Sequence, residues 1–241
     1  MRLVTVLVVL TSGLASACSS PRFDRSALPF SQYGAMREVL HDGQSAPRVS
    51  VCEASRGHAT YGVGALAGLA GEITIDAGQV WVTRSENGVP RTTGPTCVAS
   101  DQATLLSVGP IEKPATILLT ESLGGESLEA AIARAAGVPE GVYAPFLFVI
   151  DGTATAWTGH VIAGSCPHAD PTSDALQFAI TEPVAVRVVG LHAFGAAGTL
   201  THQGSNVHMH VIFERDGTRV TAHADAITLA PGATLTVPTW D

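Results

Sequence analysis

The sequence predicts an α+β chain in which two β-rich domains carry few helices. Three observations lead there. From Tyr61 to Arg84 the chain is β-branched and punctuated by glycine (Y-G-V-G-A-L-A-G-L-A-G-E-I-T-I-D-A-G-Q-V-W-V-T-R), which reads as three strands joined at glycine turns. Beyond Pro145, apolar runs alternate with turn signals and end in Asn206 to Asp225, where Asp216-Gly217 marks a two-residue hairpin. Helical spacing of apolar residues is confined to two stretches, Ser31 to His41 and Glu126 to Ala136.

Taken from its start, the chain opens M-R-L-V-T-V-L-V-V-L-T-S-G-L-A-S-A-C. Arg2 is a short basic region, Leu3 to Leu10 is an apolar run too short to span a bilayer, and Ala15, Ser16 and Ala17 lead to Cys18. This resembles a bacterial lipoprotein signal, in which residues 1–17 are removed and Cys18 carries lipid. An ordinary secretory signal cleaved nearby is the alternative. Either way the mature chain is expected to be exported. With lipid it would sit at the outer membrane, facing the periplasm, or at the cell surface, held by the anchor alone. Residues 18–30, polar and proline-bearing, read as a flexible tether.

A content of 46% hydrophobic and 14% charged residues can fill a core and excludes a disordered chain. The net charge of −8 and a single lysine, Lys113, exclude a general nucleic-acid binder. With Cys18 assigned to lipid, Cys52, Cys97 and Cys166 remain. A disulfide is expected in an oxidising compartment. Cys52 and Cys97 share one half of the chain, which leaves Cys166 free, buried or paired differently, because spacing alone does not fix connectivity.

Ser31 to His41 reads as a short helix capped by Ser31, with Met36, Val39 and Leu40 on one face. Asn87-Gly88 marks a turn. Glu126 to Ala136 reads as a helix with Leu128, Ile132 and Ala135 on one face, followed by Gly137 and Pro139. Phe146 to Ile150 and Thr153 to Ile162 read as strands joined at Asp151-Gly152; Cys166 to Asp174 reads as a loop. Leu176 to Ile180 and Val184 to Phe194 are further strands. The domains expected are an N-terminal β-rich unit at 31–137 and a C-terminal metal-binding β unit at 138–241.

The final hairpin carries the chemistry. His208 and His210 are two apart and share one face of a strand. A turn centred on Asp216-Gly217 sets His210 opposite His223 and His208 opposite Asp225. Three imidazoles on one patch are the donor set of an open zinc site, with a fourth position free for water or substrate. Asp225 either orients His208 or is solvated. His202 either rims this site or is a plain loop histidine, and His160 and His168 read as surface residues.

Three stretches together resemble the acetolactate decarboxylase family: S-Q-Y-G-A-M-R-E-V-L-H-D-G, then Y-G-V-G-A-L-A-G-L-A-G-E-I-T-I-D-A-G, then V-G-L-H-A-F-G through N-V-H-M-H-V to H-A-D. Their order holds from about Phe30 to Val237. The resemblance implies two mixed-sheet β domains of that family's type and no organic cofactor. It implies zinc held by His208, His210 and His223, and conversion of 2-acetolactate, or a close 2-hydroxy-3-oxo acid, to acetoin and carbon dioxide. It places Glu72 at the metal as an acid–base group; without it, Glu72 would read as a solvated residue beside a glycine turn. Three departures stand out. His192 occupies the place of the family's arginine, whose guanidinium suits a substrate carboxylate. Ala65 replaces a threonine. The family's C-terminal glutamate has no counterpart in a sequence running to Asp241. His192, protonated, is expected to take over part of the arginine's role. A non-catalytic metal- or small-ligand-binding lipoprotein on the same scaffold is the alternative. The expected partner is the small-molecule substrate, and a homodimer is compatible with this reading.

Overall fold

A computed structural model describes residues 25–240, except 58 and 169. The signal segment 1–17, Cys18 and residues 18–24 of the tether lie outside the described residues.

The first sheet is built from β1 (Ser31–Tyr33), β2 (Val49–Ser50), β3 (Thr60–Leu66), β4 (Glu72–Asp76), β5 (Gln79–Glu86), β6 (Val89–Thr93) and β7 (Gln102–Pro110). Its order is β1-β7-β3-β4-β5-β6, with β2 also on β7. β3, β4 and β5 are the three strands expected between Tyr61 and Arg84. Asn87 and Gly88 both have positive φ, 56° and 75°, as a tight hairpin between β5 and β6 requires. Two short helices, α1 (Met36–Leu40) and α2 (Val51–Ala54), edge this sheet. The helix expected from Ser31 begins five residues late. Ser31 pairs with Val108 on β7 instead of capping, and the N-cap position falls to Ala35, which offers no side-chain cap.

The second sheet takes β8 (Pro114–Leu118), β9 (Leu123–Gly124), β10 (Phe146–Val161), β11 (Leu176–Ile180), β12 (Val184–His192), β13 (Val207–Arg215), β14 (Thr218–Leu229) and β15 (Thr234–Pro238), with α3 (Gly125–Ala135) packed on it. The chain thus changes sheets between Pro110 and Pro114, ahead of the 137/138 division read from the sequence. Every ladder in both sheets is antiparallel, where mixed sheets were expected. Successive strands mostly return through short connections, whereas parallel neighbours need crossovers of a dozen or more residues.

The strand β10 organises the second sheet. It is one continuous strand, not two joined by a turn at Asp151-Gly152. Asp151 pairs with Arg187 and Gly152 with Val186, and a Cβ at Gly152 would lie 2.6 Å from that of Ala233. Glycine here permits close packing. β10 pairs with β12 along 146–154 and with β14 along 154–160, so β10, β12, β13 and β14 close on themselves.

The two sheets pack face to face. Val63 of the first joins Leu147, Val149, Val189 and Leu191 of the second in one buried cluster. The far side of the second sheet is covered by Leu128 and Ile132 of α3 over Phe146, Phe148, Val188 and Val211. Arg187 crosses between the layers, meeting Asp76 at 2.8 Å and also Asp151. Cys52 and Cys97 are joined in a disulfide, and Cys166 is buried.

Candidate metal centre

Polar residues are gathered where the two sheets face each other. On β13, His208 and His210 alternate with Val207, Met209 and Val211, so both imidazoles turn toward the first sheet. β14 sets His223 opposite His210, and β10 sets His160 opposite His223 on the other edge of β14. The loop before β13 adds His202, and the loop after β10 adds His168. Ring centroids lie 5.1 Å apart for His208–His210 and His208–His223, 5.8 Å for His210–His223, 4.6 Å for His202–His223 and 4.9 Å for His160–His223.

The first sheet answers with β4. In E-I-T-I-D, Ile73 and Ile75 point into the first sheet's own core while Glu72 and Thr74 point at the histidines. The Thr74 hydroxyl lies 3.1 Å from His210 Nδ1 and also contacts the Thr221 hydroxyl. The imidazole is thereby fixed with Nε2 inward, buried and without a hydrogen-bond partner, 3.5 Å from Glu72 Oε2. Glu72 Oε1 accepts the Ile162 backbone N–H at 3.2 Å.

Burial sets the charge states. Desolvation pushes the Glu72 carboxyl up to about 8, against the lowering effect of the Ile162 N–H, and the Asp225 charge adds to the rise. Desolvation also lowers the imidazoles: His202 to about 4 and His210 to about 3, with His208 and His223 well below their usual range. In the metal-free protein at neutral pH the four rings are therefore uncharged and Glu72 carries a proton.

This donor set fits a divalent transition-metal ion. Ligand atoms of His202, His208 and His223 all lie within 4.8 Å of one another, neutral imidazole is the ligating form, and the orphaned His210 Nε2 is a fourth donor close by. The rings of His208, His210 and His223 are neighbours, while the donor atoms that converge within 4.8 Å are those of His202, His208 and His223. A space of about 20 Å³, room for an ion or a water, is bordered by His160, His202, His208, His223 and Glu72, with Met36, Leu105 and Ile162 on its apolar side. A wider cleft of about 510 Å³ adjoins it through the shared His202 and His223, and reaches His41, His168 and Asp225.

Two placements differ from the sequence reading. His160 is 1% exposed, not a surface residue, because β10 is paired on both edges at that point. Asp225 does not face His208: β14 passes from β13 to β10 at His223, and Asp225 instead lies 2.8 Å from His168 Nε2 and 3.1 Å from His160 Nδ1.

The structure does not bring His192 to the cluster. It pairs with Val207, whose side chain faces α3, and its ring stacks on Phe146 at 5.0 Å. Thr74 was missed altogether. Its signal, a threonine two residues from Glu72 in an otherwise isoleucine-bearing strand, is legible once Glu72 is known to face a site.

No family model matches the sequence, and no curated protein matches it. Solved structures share the fold. Acetolactate decarboxylase from Bacillus subtilis subspecies spizizenii superposes with a TM-score of 0.67 at 18% identity, covering 87% of each chain. The alpha-acetolactate decarboxylase of Bacillus subtilis strain 168 gives 0.65 at 18% identity, covering 87% of this chain and 86% of that one. A Staphylococcus aureus protein of unknown function, similar to alpha-acetolactate decarboxylase, gives 0.64 at 12% identity, covering 86% and 87%.

Proposed function

We propose that this chain is a zinc-dependent carboxy-lyase that converts 2-acetolactate, or a close 2-hydroxy-3-oxo acid, to acetoin or the corresponding hydroxyketone and carbon dioxide. The observation that carries this reading is the placement of the buried Glu72 carboxyl, 3.5 Å from the unpartnered His210 Nε2 and held by the Ile162 backbone N–H, among the clustered histidines. His208, His210 and His223 would hold the ion, with His202 in place of or beside His210, since the donor atoms of His202, His208 and His223 are the ones that lie within 4.8 Å of one another. Zinc bound there supplies Lewis-acid stabilisation of the negative charge that gathers on oxygen as carbon dioxide leaves.

The chain's own residues do the rest. Thr74 holds His210 in its inward orientation. Met36, Leu105 and Ile162 keep bulk water from one side of the cavity. The substrate enters by the wider cleft, past His202 and His223. Glu72 delivers its proton to the carbon that has lost the carboxylate and recovers one from solvent, so each turnover consumes one proton. His192 takes no part, since its ring lies on the far face of the sheet.

One observation favours the second reading, a metal-binding lipoprotein without catalysis. Among the described residues, neither cavity at the histidines is lined by arginine or lysine, so no side chain of fixed positive charge awaits a substrate carboxylate. The two readings part on one measurement: acetoin and carbon dioxide formed from 2-acetolactate by the purified zinc-loaded protein. Their absence at every pH would leave the binding reading.

We also place the chain outside the cytoplasm, anchored by lipid on Cys18. The Ala-Ser-Ala-Cys sequence supports this, as does the Cys52–Cys97 disulfide, which suits an oxidising compartment.

A further inference from the structure

At the edge of the cavity lined by His160, His202, His208 and His223 stands a second group of donors, made by His160 with His168 and Asp225, that has no role in the proposed chemistry. Asp225 Oδ1 lies 2.8 Å from His168 Nε2 and 3.0 Å from His160 Nδ1, and 3.6 Å from His223 Nε2. The backbone is shaped to bring them there. Thr158 pairs with Ala226 and Gly159 with Ala224, which leaves Asp225 as the extra residue of a bulge in β14. A Cβ at Gly159 would lie 2.0 Å from the His223 carbonyl oxygen, so glycine is what lets the two strands approach and His160 stand beside His223.

The geometry points to a second divalent-cation site made by His160, His168 and Asp225, adjoining the first and linked to it through Asp225. Ligand atoms of the three lie within 4.8 Å of one another. In a tetrahedral zinc site with bonds of about 2.1 Å, neighbouring donors stand roughly 3.4 Å apart. The present spacings of 2.8 and 3.0 Å therefore open by only a few tenths of an ångström to admit an ion. Two imidazoles and one carboxylate are a borderline donor set, suited to zinc, cobalt or nickel rather than magnesium or calcium. His168 is 48% exposed and borders the wide cleft, so this ion would be the weaker and more exchangeable of the two, with a coordination position open to the cleft. Resting on the carboxy-lyase reading, the inference gains a role: an ion there would supply positive charge for the substrate carboxylate where neither cavity is lined by arginine or lysine.

The experiment is a zinc count by equilibrium dialysis on the purified full-length chain, stripped of metal and then titrated, with no substrate present. Two ions per chain of unequal affinity are expected for the wild type. His168→Ala, on an exposed loop, and Asp225→Asn are each expected to leave one, with unchanged circular dichroism. A wild type that binds one ion, a His168→Ala chain that still binds two, or loss of both ions together in folded His168→Ala would overturn the second site. Failures of the two ideas are distinguishable. Two bound ions without acetoin would sink the carboxy-lyase reading alone; acetoin from a chain binding one ion would sink the second site alone.

Discussion

His160 on β10 and His223 on β14 are directly opposed, with ring centroids 4.9 Å apart, although 63 residues separate them in the sequence. Their pairing joins the hairpin that carries His208, His210 and His223 to the strand that carries His160. It is also the point where β14 leaves one neighbour for another. The histidine cluster is therefore built at the closure of β10, β12, β13 and β14, and loss of that closure would take the cluster apart.

The first expectation concerns the primary site. His210→Ala should remove most of the tightly bound zinc, while His192→Ala, altered on the far face of the sheet, should leave metal content unchanged. Metal analysis after purification reads both, and full tight-site occupancy in His210→Ala would sink the assignment.

Thr74 is expected to act through His210. Replacing it with valine keeps the shape and removes the hydroxyl 3.1 Å from Nδ1. Loss of such a supporting hydrogen bond costs about 10- to 100-fold in metal affinity. A competition titration against a chelator measures it, and unchanged affinity would count against the role given to Thr74.

Glu72→Gln should lower the decarboxylation rate by about 10²- to 10⁴-fold, the usual worth of a positioned acid. It should also change stability in a definite direction. In the metal-free protein Glu72 keeps its proton up to about pH 8, whereas the unfolded chain releases it near the ordinary 4.5. Between those values the folded state binds the more protons, so this group's contribution falls as pH rises and is lost through pH 8. Denaturant unfolding of metal-free Glu72→Gln should lack that decline between about pH 4.5 and 8; an identical profile would show that the carboxyl is not buried in neutral form.

The imidazoles act in the opposite sense. His202 and His210 are lowered from 6.5 to about 4 and about 3, and His208 and His223 are lowered as well. Below pH 6.5 the unfolded chain takes up protons that the folded one refuses, so the stability these groups confer above 6.5 is lost as pH falls toward 4 and then 3. Thermal unfolding of the metal-free protein should show a falling midpoint across that window. A flat midpoint from pH 7 to 4 would mean that these rings are accessible to protons.

Incorporation of labelled fatty acid tests the anchor. The wild type should take up label and Cys18→Ser should not; label in both, or in neither, would remove the lipoprotein assignment.

Much of this is legible in the sequence. The alternation of H-M-H on a strand and the Asp216-Gly217 turn, whose residues have φ of 51° and 72°, place His210 against His223 by local geometry alone. The glycine-punctuated strands around Glu72 were legible for the same reason, since β-branched runs and turn residues act over a few positions. His192 misled because position in a motif says nothing of which face a side chain takes: pairing with Val207 turns it toward α3. The Asp151-Gly152 turn misled because glycine serves close packing as readily as chain reversal, and the packing partner, Ala233, lies 81 residues away.

The sequence by itself determined the strand-rich class, the hairpin, its register near the turn and the identity of three converging imidazoles, because each follows from period-two alternation and turn chemistry. The tertiary structure alone decided that Glu72 and Thr74 meet His210 and that His160, His168 and His202 join the cluster. It also decided that Asp225 serves His160 and His168 rather than His208. Those contacts cross between sheets, or between strands distant in sequence, and are fixed by how apolar faces pack and where β10 changes partner from β12 to β14. The charge states follow from the same burial: no residue pattern foretells that a carboxyl titrates near pH 8 until the water has been taken away from it.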